Sequence, residues 1–415
     1  MTKKKKKSSN ILVQKAEEKQ LNSRFLERIT FIAKAMVGEA VFKLIPSHFL
    51  QDLVALRVPV LKAKAAPGSD ILKSRVVQYN KLFTSLINEH TIETDFGVEI
   101  PISWYFTEGI VLLDQIWVMV DTDFRSAALV KEAFKQYLPE SDHYNWMGNL
   151  LNVTINDANV MLSEPDKHGI IYSDISDTIY INQDTVSNSI LIDQVKPEKT
   201  RILIDNVSRV VIKLGWIFAK NEWIQSYIKP AQIGFSGDGD NIPLPLYIQQ
   251  HAIDQLQKRV DITPGIMFFA IIPCFIEDCT SFEKGNNHSK VAYYLAGQKI
   301  GYLVCNWCND KIVIVTFLFL TNDGTPEGKK LEKILALEKA DKQYLKIDTL
   351  PHFNSYHFEN DKSLSAIFTA AGCDSLFKLG KLQEFSKRSV ADKDPESIKK
   401  YISDFSIRQQ GFECG

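Results

Sequence analysis

One amphipathic segment, LYIQQHAIDQLQKRVDITPG at 246–265, constrains the fold of this chain more than any other. Its apolar residues recur every four positions, which predicts a helix with one buried stripe. The stripe comprises Ile248, Ala252, Leu256 and Val260. A second row, His251, Gln255 and Arg259, has the same spacing and borders that stripe. At a rise of about 1.5 Å per residue, its two ends lie roughly 12 Å apart along the axis, so both can reach one anionic group.

The residues after this helix predict an antiparallel sheet. Segments 291–295, 299–307 and 312–320 are rich in β-branched and aromatic residues, and short turn sequences separate them. A helix followed by a meander of strands gives a small helix-plus-antiparallel-sheet domain over 246–321. The fold class predicted for the whole chain is therefore α+β.

The rest of the chain predicts four further regions. Residues 1–18 are Lys-rich and are expected to form a disordered tail, because like charges repel. Residues 19–235 predict a mixed, mainly helical N-terminal domain, and 322–415 predict a helical C-terminal extension. Between them, 236–245 is rich in Gly, Asp and Pro, which is typical of a linker.

Three shorter segments carry predictions that the structure can test. The apolar run 201–228 has an amphipathic pattern that predicts a long helix interrupted at Gly215. Weak alternation at 170–181 favours a hairpin. The strongly apolar run 266–275 is compatible with either a strand or a buried helix.

Charge and composition exclude several classes of protein. The chain has 415 residues with 49 Lys plus Arg against 50 Asp plus Glu, so its net charge is −1. Such a balance provides no molecule-wide field that would attract nucleic acid or an anionic membrane. No run approaches the roughly 20 apolar residues that cross a bilayer. Six cysteines are too few for a disulfide framework, so we expect a cytoplasmic protein with no membrane partner.

Two groups of residues resemble metal ligands only in part. Cys305 and Cys308 form a CxxC, but Cys274 and Cys279 upstream are separated by four residues rather than two. Buried small cysteines are the favoured interpretation, with a zinc site as the alternative. The two histidines of segment 351–359 also lack the i,i+4 spacing of a helical metal site. We expect neither a metal nor a cofactor.

The His-Ala pair at 251–252 and Arg259, on a helix before an antiparallel sheet, resemble the RelE/ParE-like group of small ribonuclease toxins. That group also takes in barnase-like and colicin-like nucleases. The resemblance covers 246–321, less than a fifth of the chain. Gln255 stands where this pattern more often has arginine, which removes one positive charge.

The resemblance implies metal-independent RNA cleavage, in which the ribose 2′-hydroxyl attacks the phosphate. It implies His251 as acid or base and Arg259 as a clamp on the phosphate, because these side chains supply a proton near neutral pH and a fixed charge. Lys258 would assist, and Thr316 would add a hydroxyl from the last strand. Gln255 and Tyr302 would contact the nucleic acid, the tyrosine by stacking on a base. The alternative for strand aromatics is a place in the core.

Two functions are compatible with these features. The first is a structural or interaction protein, such as one encoded by a phage or mobile element, that carries a RelE-like domain. It would bind a protein partner through the N-terminal or C-terminal helical regions. The alternative is a ribonuclease acting on RNA through His251 and Arg259. The near-neutral charge favours the first, and a solvent-accessible groove shared by the two side chains would favour the second.

Overall fold

The structure is a computed structural model, and it describes residues 2–175, 181–182, 185–186, 188–204, 206–218, 222–276, 280–284, 288–386 and 389–402. The chain forms two compact units. Unit 1 comprises Met1–Asn159 and Tyr172–Asp193, and unit 2 comprises Val160–Ile171 and Gln194–Gly415. Helices and strands occur in both, and the α+β class expected from the sequence is confirmed.

Unit 1 is mainly helical. Its helices are α1 (Thr2–Phe42), α2 (Ser47–Asp52), α3 (Lys73–Asn88), α4 (Ile102–Trp104), α5 (Ile110–Val118), α6 (Ala127–Phe134) and α7 (Asp142–Leu162), the last of which ends in unit 2. A π-helical turn at Tyr105–Gly109 joins α4 to α5, and 3-10 turns occupy Leu53–Leu56 and Lys135–Tyr137. Helix α1 is kinked at Gly38, whose φ of 76° lies in the region that glycine tolerates.

The strands of the first half of the chain are short. They are β1 (Lys62–Ala65), β2 (Thr91–Glu93), β3 (Glu99–Pro101), β4 (Ile170–Ile175), β5 (Ile181–Asn182), β6 (Thr185–Val186) and β7 (Ser189–Val195). Three of them form a sheet in the order β1-β7-β4, in which β1 and β7 are parallel. The hairpin predicted at 170–181 falls partly on residues 176–180, which lie outside the described part of the chain.

Unit 2 contains most of the strands. They are β8 (Lys199–Ile204), β9 (Val207–Lys213), β10 (Gly215–Phe218), β11 (Glu222–Gln225), β12 (Tyr227–Ile228), β13 (Leu244–Gln249), β14 (Phe282–Lys284), β15 (Ser289–Leu295), β16 (Gln298–Cys308) and β17 (Lys311–Phe319). Its helices are α8 (Gln250–Val260), α9 (Pro264–Phe269), α10 (Pro326–Leu335), α11 (Lys339–Leu345), α12 (Leu350–Ser355) and α13 (Lys362–Ala371). Turns of 3-10 helix occupy Pro230–Ile233, Ile272–Phe275, Phe358–Asn360 and Asp374–Phe385.

The central sheet of unit 2 has the order β14-β15-β16-β17-β13-β9-β8, and β12 also pairs with β13. Strands β13 and β17 are parallel, and the other neighbours in this order are antiparallel. The register of the parallel pair runs from Leu246↔Ile312 to Ile248↔Ile314. Strand β17 therefore extends beyond the last paired residue of β13, and α8, which begins directly after β13, packs along β17.

The sheet has one large core face and one small one. The large face carries Ile248, Ile312 and Ile314, which pack with the apolar side chains of α8 and of the C-terminal helices. On the opposite face, Tyr247 and Val313 belong to a small cluster with strand residues Ile204 and Val211. The alternation of neighbouring residues between the two clusters is the period-two pattern of a sheet buried on both faces.

The structure corrects several predictions about local structure. The run 201–228 is not a helix, since β8 to β12 occupy it. Its β-branched residues favour strands, and Asn206, with a φ of 60°, lies in the turn between β8 and β9. Residues 246–249 also belong to a strand, so the predicted helix begins only at Gln250. Segment 266–275 is helical, through α9 and a 3-10 turn.

The predicted domain limits also differ from the observed units. The predicted 19–235 domain includes β8 and β9, but these strands belong to the central sheet of unit 2. The prediction of a helix over 201–228 is the reason for this difference. The proposed 322–415 extension shares one hydrophobic core with the 246–321 region, so the two are parts of one unit. The predicted 236–245 linker runs into β13. Helix α1 begins at Thr2, so residues 2–18 are helical rather than a disordered tail; lysine and glutamate are good helix formers.

Candidate anion-binding site

The candidate site lies in unit 2, where the parallel strands β13 and β17 end. Helix α8 begins immediately after β13, and its last turn carries Lys258 and Arg259. Thr316 lies on β17 two residues beyond Ile314, the last residue that pairs with β13. Ligands of sheets that contain parallel strands commonly bind beyond the carboxyl ends of those strands, so this position favours a binding site.

Helix α8 presents two faces, as its sequence predicts. Ala252, Leu256 and Val260 are buried in the core. His251, Gln255, Lys258 and Arg259 all line one open cavity of about 520 Å³. Their spacing of four, seven and eight residues from the first member places them on one side of the helix.

A tight turn after β17 forms the next wall. Thr325 is the N-cap of α10: its hydroxyl oxygen accepts a hydrogen bond from the Gly328 amide at 2.9 Å. The turn lies so close to α10 that a Cβ atom on Gly328 would stand 1.8 Å from the Asn322 carbonyl oxygen, so only glycine fits there. This packing directs Asn322 and Asp323 to the cavity.

The C-terminal helices close the remaining side. Helix α11 contributes Lys339, Lys342 and Gln343, and the turn between α11 and α12 contributes Asp348. Ile347, beside Asp348, is fully buried and its carbonyl oxygen accepts a hydrogen bond from the Thr321 hydroxyl at 2.9 Å. The backbone that carries Asp348 is therefore fixed to the end of β17.

Arg259 and Asp348 form an ion pair on the wall of the cavity. Their exposed fractions are only 8% and 6%, and Nη1 of Arg259 donates to both the carboxylate Oδ2 and the backbone oxygen of Asp348, the latter at 3.1 Å. Burial lowers the pKa of the Arg259 guanidinium from its usual value. Its Nε atom is buried and has no hydrogen-bond partner among the residues that the structure describes.

A second ion pair joins Lys342 to Asp323. The Lys342 ammonium, whose residue is 2% exposed, donates to the Asp323 carboxylate and to the Gly328 carbonyl oxygen, the latter at 2.8 Å. The two carboxylates therefore neutralise the two buried cations of the cavity.

Two further lysines leave the cavity with a positive excess. Lys258 and Lys339 are exposed and form no ion pair within the described ranges. The lining contains four Lys or Arg residues against two aspartates, so its formal charge is +2 with His251 neutral. His251 is exposed, and Gln255, Thr316 and Gln343 add neutral hydrogen-bonding groups. The arrangement can attract an anion and offer it both charged and neutral donors.

Tyr302 is the predicted site residue that the cavity does not include. It is 4% exposed, its hydroxyl donates to Glu327 at 3.1 Å and accepts from Lys299 at 3.2 Å, and both of these partners lie outside the cavity. A ring buried in this way cannot stack on a base, so the predicted nucleic-acid contact is wrong for Tyr302. The alternative, a place in the core, is correct.

The cysteines of the CxxC lie on opposite faces of the sheet. Cys305 is buried in the large core, whereas Cys308 packs against the small cluster. Cys279 lies outside the described residues. Within the described ranges no group of three or more His, Cys, Asp or Glu side chains is arranged to hold a metal ion. In the same ranges no helix is both long and apolar enough to cross a membrane.

Comparison with family models, with curated proteins and with solved structures finds no match to this chain. The resemblance to RelE/ParE-like toxins therefore still rests on the residues of 246–321 alone. The structure brings together five of the six predicted site residues: His251, Gln255, Lys258, Arg259 and Thr316.

Sequence reasoning missed the residues of the cavity that come from after β17. Lys339, Lys342 and Asp348 reach the cavity only because α11 and α12 pack against the same core as α8. One signal in the sequence was the turn NDGTPEG at 322–328, whose N-cap and proline indicate a sharp return of the chain onto the sheet.

Proposed function

We propose that the cavity of unit 2 binds the phosphate groups of RNA, and that His251 acts as acid or base in metal-independent cleavage of the strand. The observation that supports this most is that His251, Lys258, Arg259 and Thr316 line one cavity with a positive excess. An exposed imidazole beside fixed cations matches the needs of the reaction. A proton must leave the 2′-hydroxyl, another must reach the departing 5′-oxygen, and the crowded phosphate must be stabilised.

The residues would take distinct roles in this reaction. Lys258 and Lys339, which are exposed, would attract and hold the sugar-phosphate backbone. Arg259 would contact the reacting phosphate with a planar donor group. Thr316 would donate a hydrogen bond from β17. His251 would carry one of the two proton transfers as acid or base, and solvent water would carry the other.

A second candidate is binding without cleavage, as part of an interaction protein. It is favoured by the internal neutralisation of Arg259 and Lys342, which leaves the two most buried cations less able to stabilise a transition state. The net charge of −1 supports it as well, because a protein that seeks out RNA usually carries a strong positive field. The helical parts of the chain would then provide the surface for a protein partner.

The test is incubation of the purified protein with end-labelled single-stranded RNA in the presence of a metal chelator. We expect cleavage by the wild type and a loss of roughly 10²–10⁴-fold in His251→Ala, the contribution that general acid–base catalysis usually makes. His168→Ala is the matched control, since this histidine is exposed and lies outside the cavity.

Each outcome distinguishes the candidates. Cleavage that His251→Ala does not reduce would remove the assigned site. RNA binding that needs Lys258 and Lys339, with no cleavage at any pH between 5 and 9, would select the interaction protein. Absence of both binding and cleavage would reject both candidates for this cavity.

A further inference from the structure

The buried pair of Arg259 and Asp348 leaves the guanidinium incompletely satisfied. Both of the hydrogen bonds seen for this guanidinium come from Nη1, and both go to Asp348. The Nε donor is buried and lacks a hydrogen-bond partner within the described part of the chain. A buried donor without a partner costs free energy, and a bound water or anion is one way in which a native protein satisfies it.

Asp348 has the same chemistry as the ligand that the cavity is proposed to take. Its carboxylate is a planar anion that accepts from a guanidinium, as a phosphate oxygen does. It reaches Arg259 from a turn whose backbone is held by the Thr321–Ile347 hydrogen bond, so an exchange of anions at Arg259 would require movement of the Asp348 side chain and not of this backbone. A phosphate in its place could accept from Nε and Nη together, which one carboxylate oxygen does not achieve here.

We propose that Asp348 is an internal competitor for Arg259, and that a bound phosphate group displaces its carboxylate and takes over the guanidinium. This inference rests on the proposed function for the chemical class of the ligand. Lys258 and Lys339 attract the anion, and exchange at Arg259 then selects ligands that bind strongly enough to replace the carboxylate. Asp348 thereby determines the affinity of the site.

The alternative role of Asp348 predicts the opposite effect. A carboxylate that only positioned Arg259 would be needed for binding, and its loss would weaken the complex. Whether removal of the Asp348 charge raises or lowers the affinity for phosphate therefore decides between a competitor and a positioning residue.

The primary test is titration of wild-type protein and Asp348→Asn with inorganic phosphate, followed by calorimetry. Asparagine keeps the shape and an acceptor oxygen but removes the negative charge. We expect the affinity of Asp348→Asn for phosphate to rise about tenfold, whereas an unchanged or lower affinity would overturn the proposal.

Asp323→Asn is the matched control, because it removes an equal charge from the same cavity without touching Arg259. A general electrostatic effect would raise the affinity equally in both variants, and this result would also overturn the proposal. In an Arg259→Gln background, the gain from Asp348→Asn should disappear, as expected for two groups that act as one unit.

A measurement on the wild type covers the case in which Asp348→Asn does not fold. The Nε–H resonance of Arg259, identified by its loss in Arg259→Lys, should shift downfield as phosphate is added, because the proton gains an acceptor. Phosphate binding that leaves this resonance unchanged would contradict the exchange.

The two proposals of function and exchange fail in different ways. An increase of phosphate affinity in Asp348→Asn without any binding of RNA would support the exchange and reject RNA as the ligand. RNA binding with no gain in that variant would retain the function and reject the exchange. Wild-type protein and Asp348→Asn that both fail to bind phosphate would overturn the exchange directly.

Discussion

Two ion pairs of unit 2, Arg259–Asp348 and Lys299–Glu327, each join a cation to a buried carboxylate and differ in their surroundings. Arg259–Asp348 lies on the wall of an open cavity, whereas Lys299–Glu327 is joined to the buried hydroxyl of Tyr302. In the second cluster, the Lys299 ammonium lies 2.5 Å from Glu327 Oε1 and 5.1 Å from the centre of the Tyr302 ring. The Lys299 side chain is 27% exposed and that of Arg259 only 10%, so exposure of the pair itself does not distinguish the two. The Arg259 pair is the candidate binding site because it lines a cavity that also holds the exposed cations Lys258 and Lys339.

Removal of the cation from each pair has the largest expected effect. Arg259→Ala leaves Asp348 buried and unpaired, and we expect it to lose about 3–5 kcal/mol of stability and at least roughly tenfold of phosphate affinity. Lys299→Ala should lose about 1–3 kcal/mol, since Tyr302 still donates to Glu327, and should bind phosphate normally. Chemical denaturation and calorimetry measure both quantities. Weaker phosphate binding in Lys299→Ala would show that the clusters are not independent.

Chemical labelling of amines tests the difference in exposure between the lysines of the cavity. We expect an acetylating reagent to modify Lys258 and Lys339 about ten times faster than Lys342, which is 2% exposed and paired with Asp323. Inorganic phosphate should slow the reaction at Lys258 and Lys339. Peptide mass spectrometry gives each rate, and Lys330, exposed on α10 and outside the cavity, serves as the reference. Equal rates of acetylation at Lys342 and Lys339 would contradict the burial of Lys342 in its ion pair with Asp323.

The smallest expected effect is the response of the Tyr302 cluster to alkaline pH. Burial raises the pKa of Tyr302 to about 12, and the neighbouring Glu327 charge also raises it, while Lys299 acts in the opposite direction. In Lys299, burial lowers the pKa, but the hydrogen bonds to Glu327 and Tyr302 outweigh it, so the pKa is raised overall. Groups with a raised pKa in the folded protein stabilise it below their unfolded pKa, about 10, and lose this contribution as pH rises through the folded value.

Between pH 9.5 and 11.5 we therefore expect the Tm of the wild type to fall by a few degrees more than that of Tyr302→Phe. Tyr227→Phe, which alters a tyrosine with an exposed ring, should follow the wild type. Calorimetric scans across this range provide the measurement. A variant Tyr302→Phe with the same dependence as the wild type would show that this hydroxyl does not titrate in the way its burial demands.

The sequence predicted the part of the site that depends on local periodicity. Helical spacing was enough to place His251, Gln255, Lys258 and Arg259 on one side of α8, next to a buried stripe. The strands β15 to β17 were also recognisable, because their β-branched and aromatic residues leave few alternatives.

The remainder depended on contacts between distant segments, which local patterns do not record. The pattern of 201–228 predicts a helix, and the sheet is decided by pairings with other strands: β9 pairs with β13, and β8 pairs with β9. Asp348 is separated from Arg259 by 89 residues, so nothing near either residue indicates their ion pair. The position of Tyr302 also depends on distant contacts. The sequence alone does not show which face of the sheet an aromatic side chain occupies, and the partner of the Tyr302 hydroxyl, Glu327, lies 25 residues away.

The short segment 160–171 has a consequence for how the protein is made. It belongs to unit 2 although the chain then returns to unit 1, and a Cβ on Gly265 would stand 1.9 Å from the carbonyl oxygen of Val160. Ile398 of the distant C-terminal region belongs to the same core. The core around Val160–Ile171 is therefore complete only after the ribosome has synthesised the chain as far as Ile398. A gene fragment that starts at codon 194 would encode unit 2 without Val160–Ile171, and its core would lack Ile170.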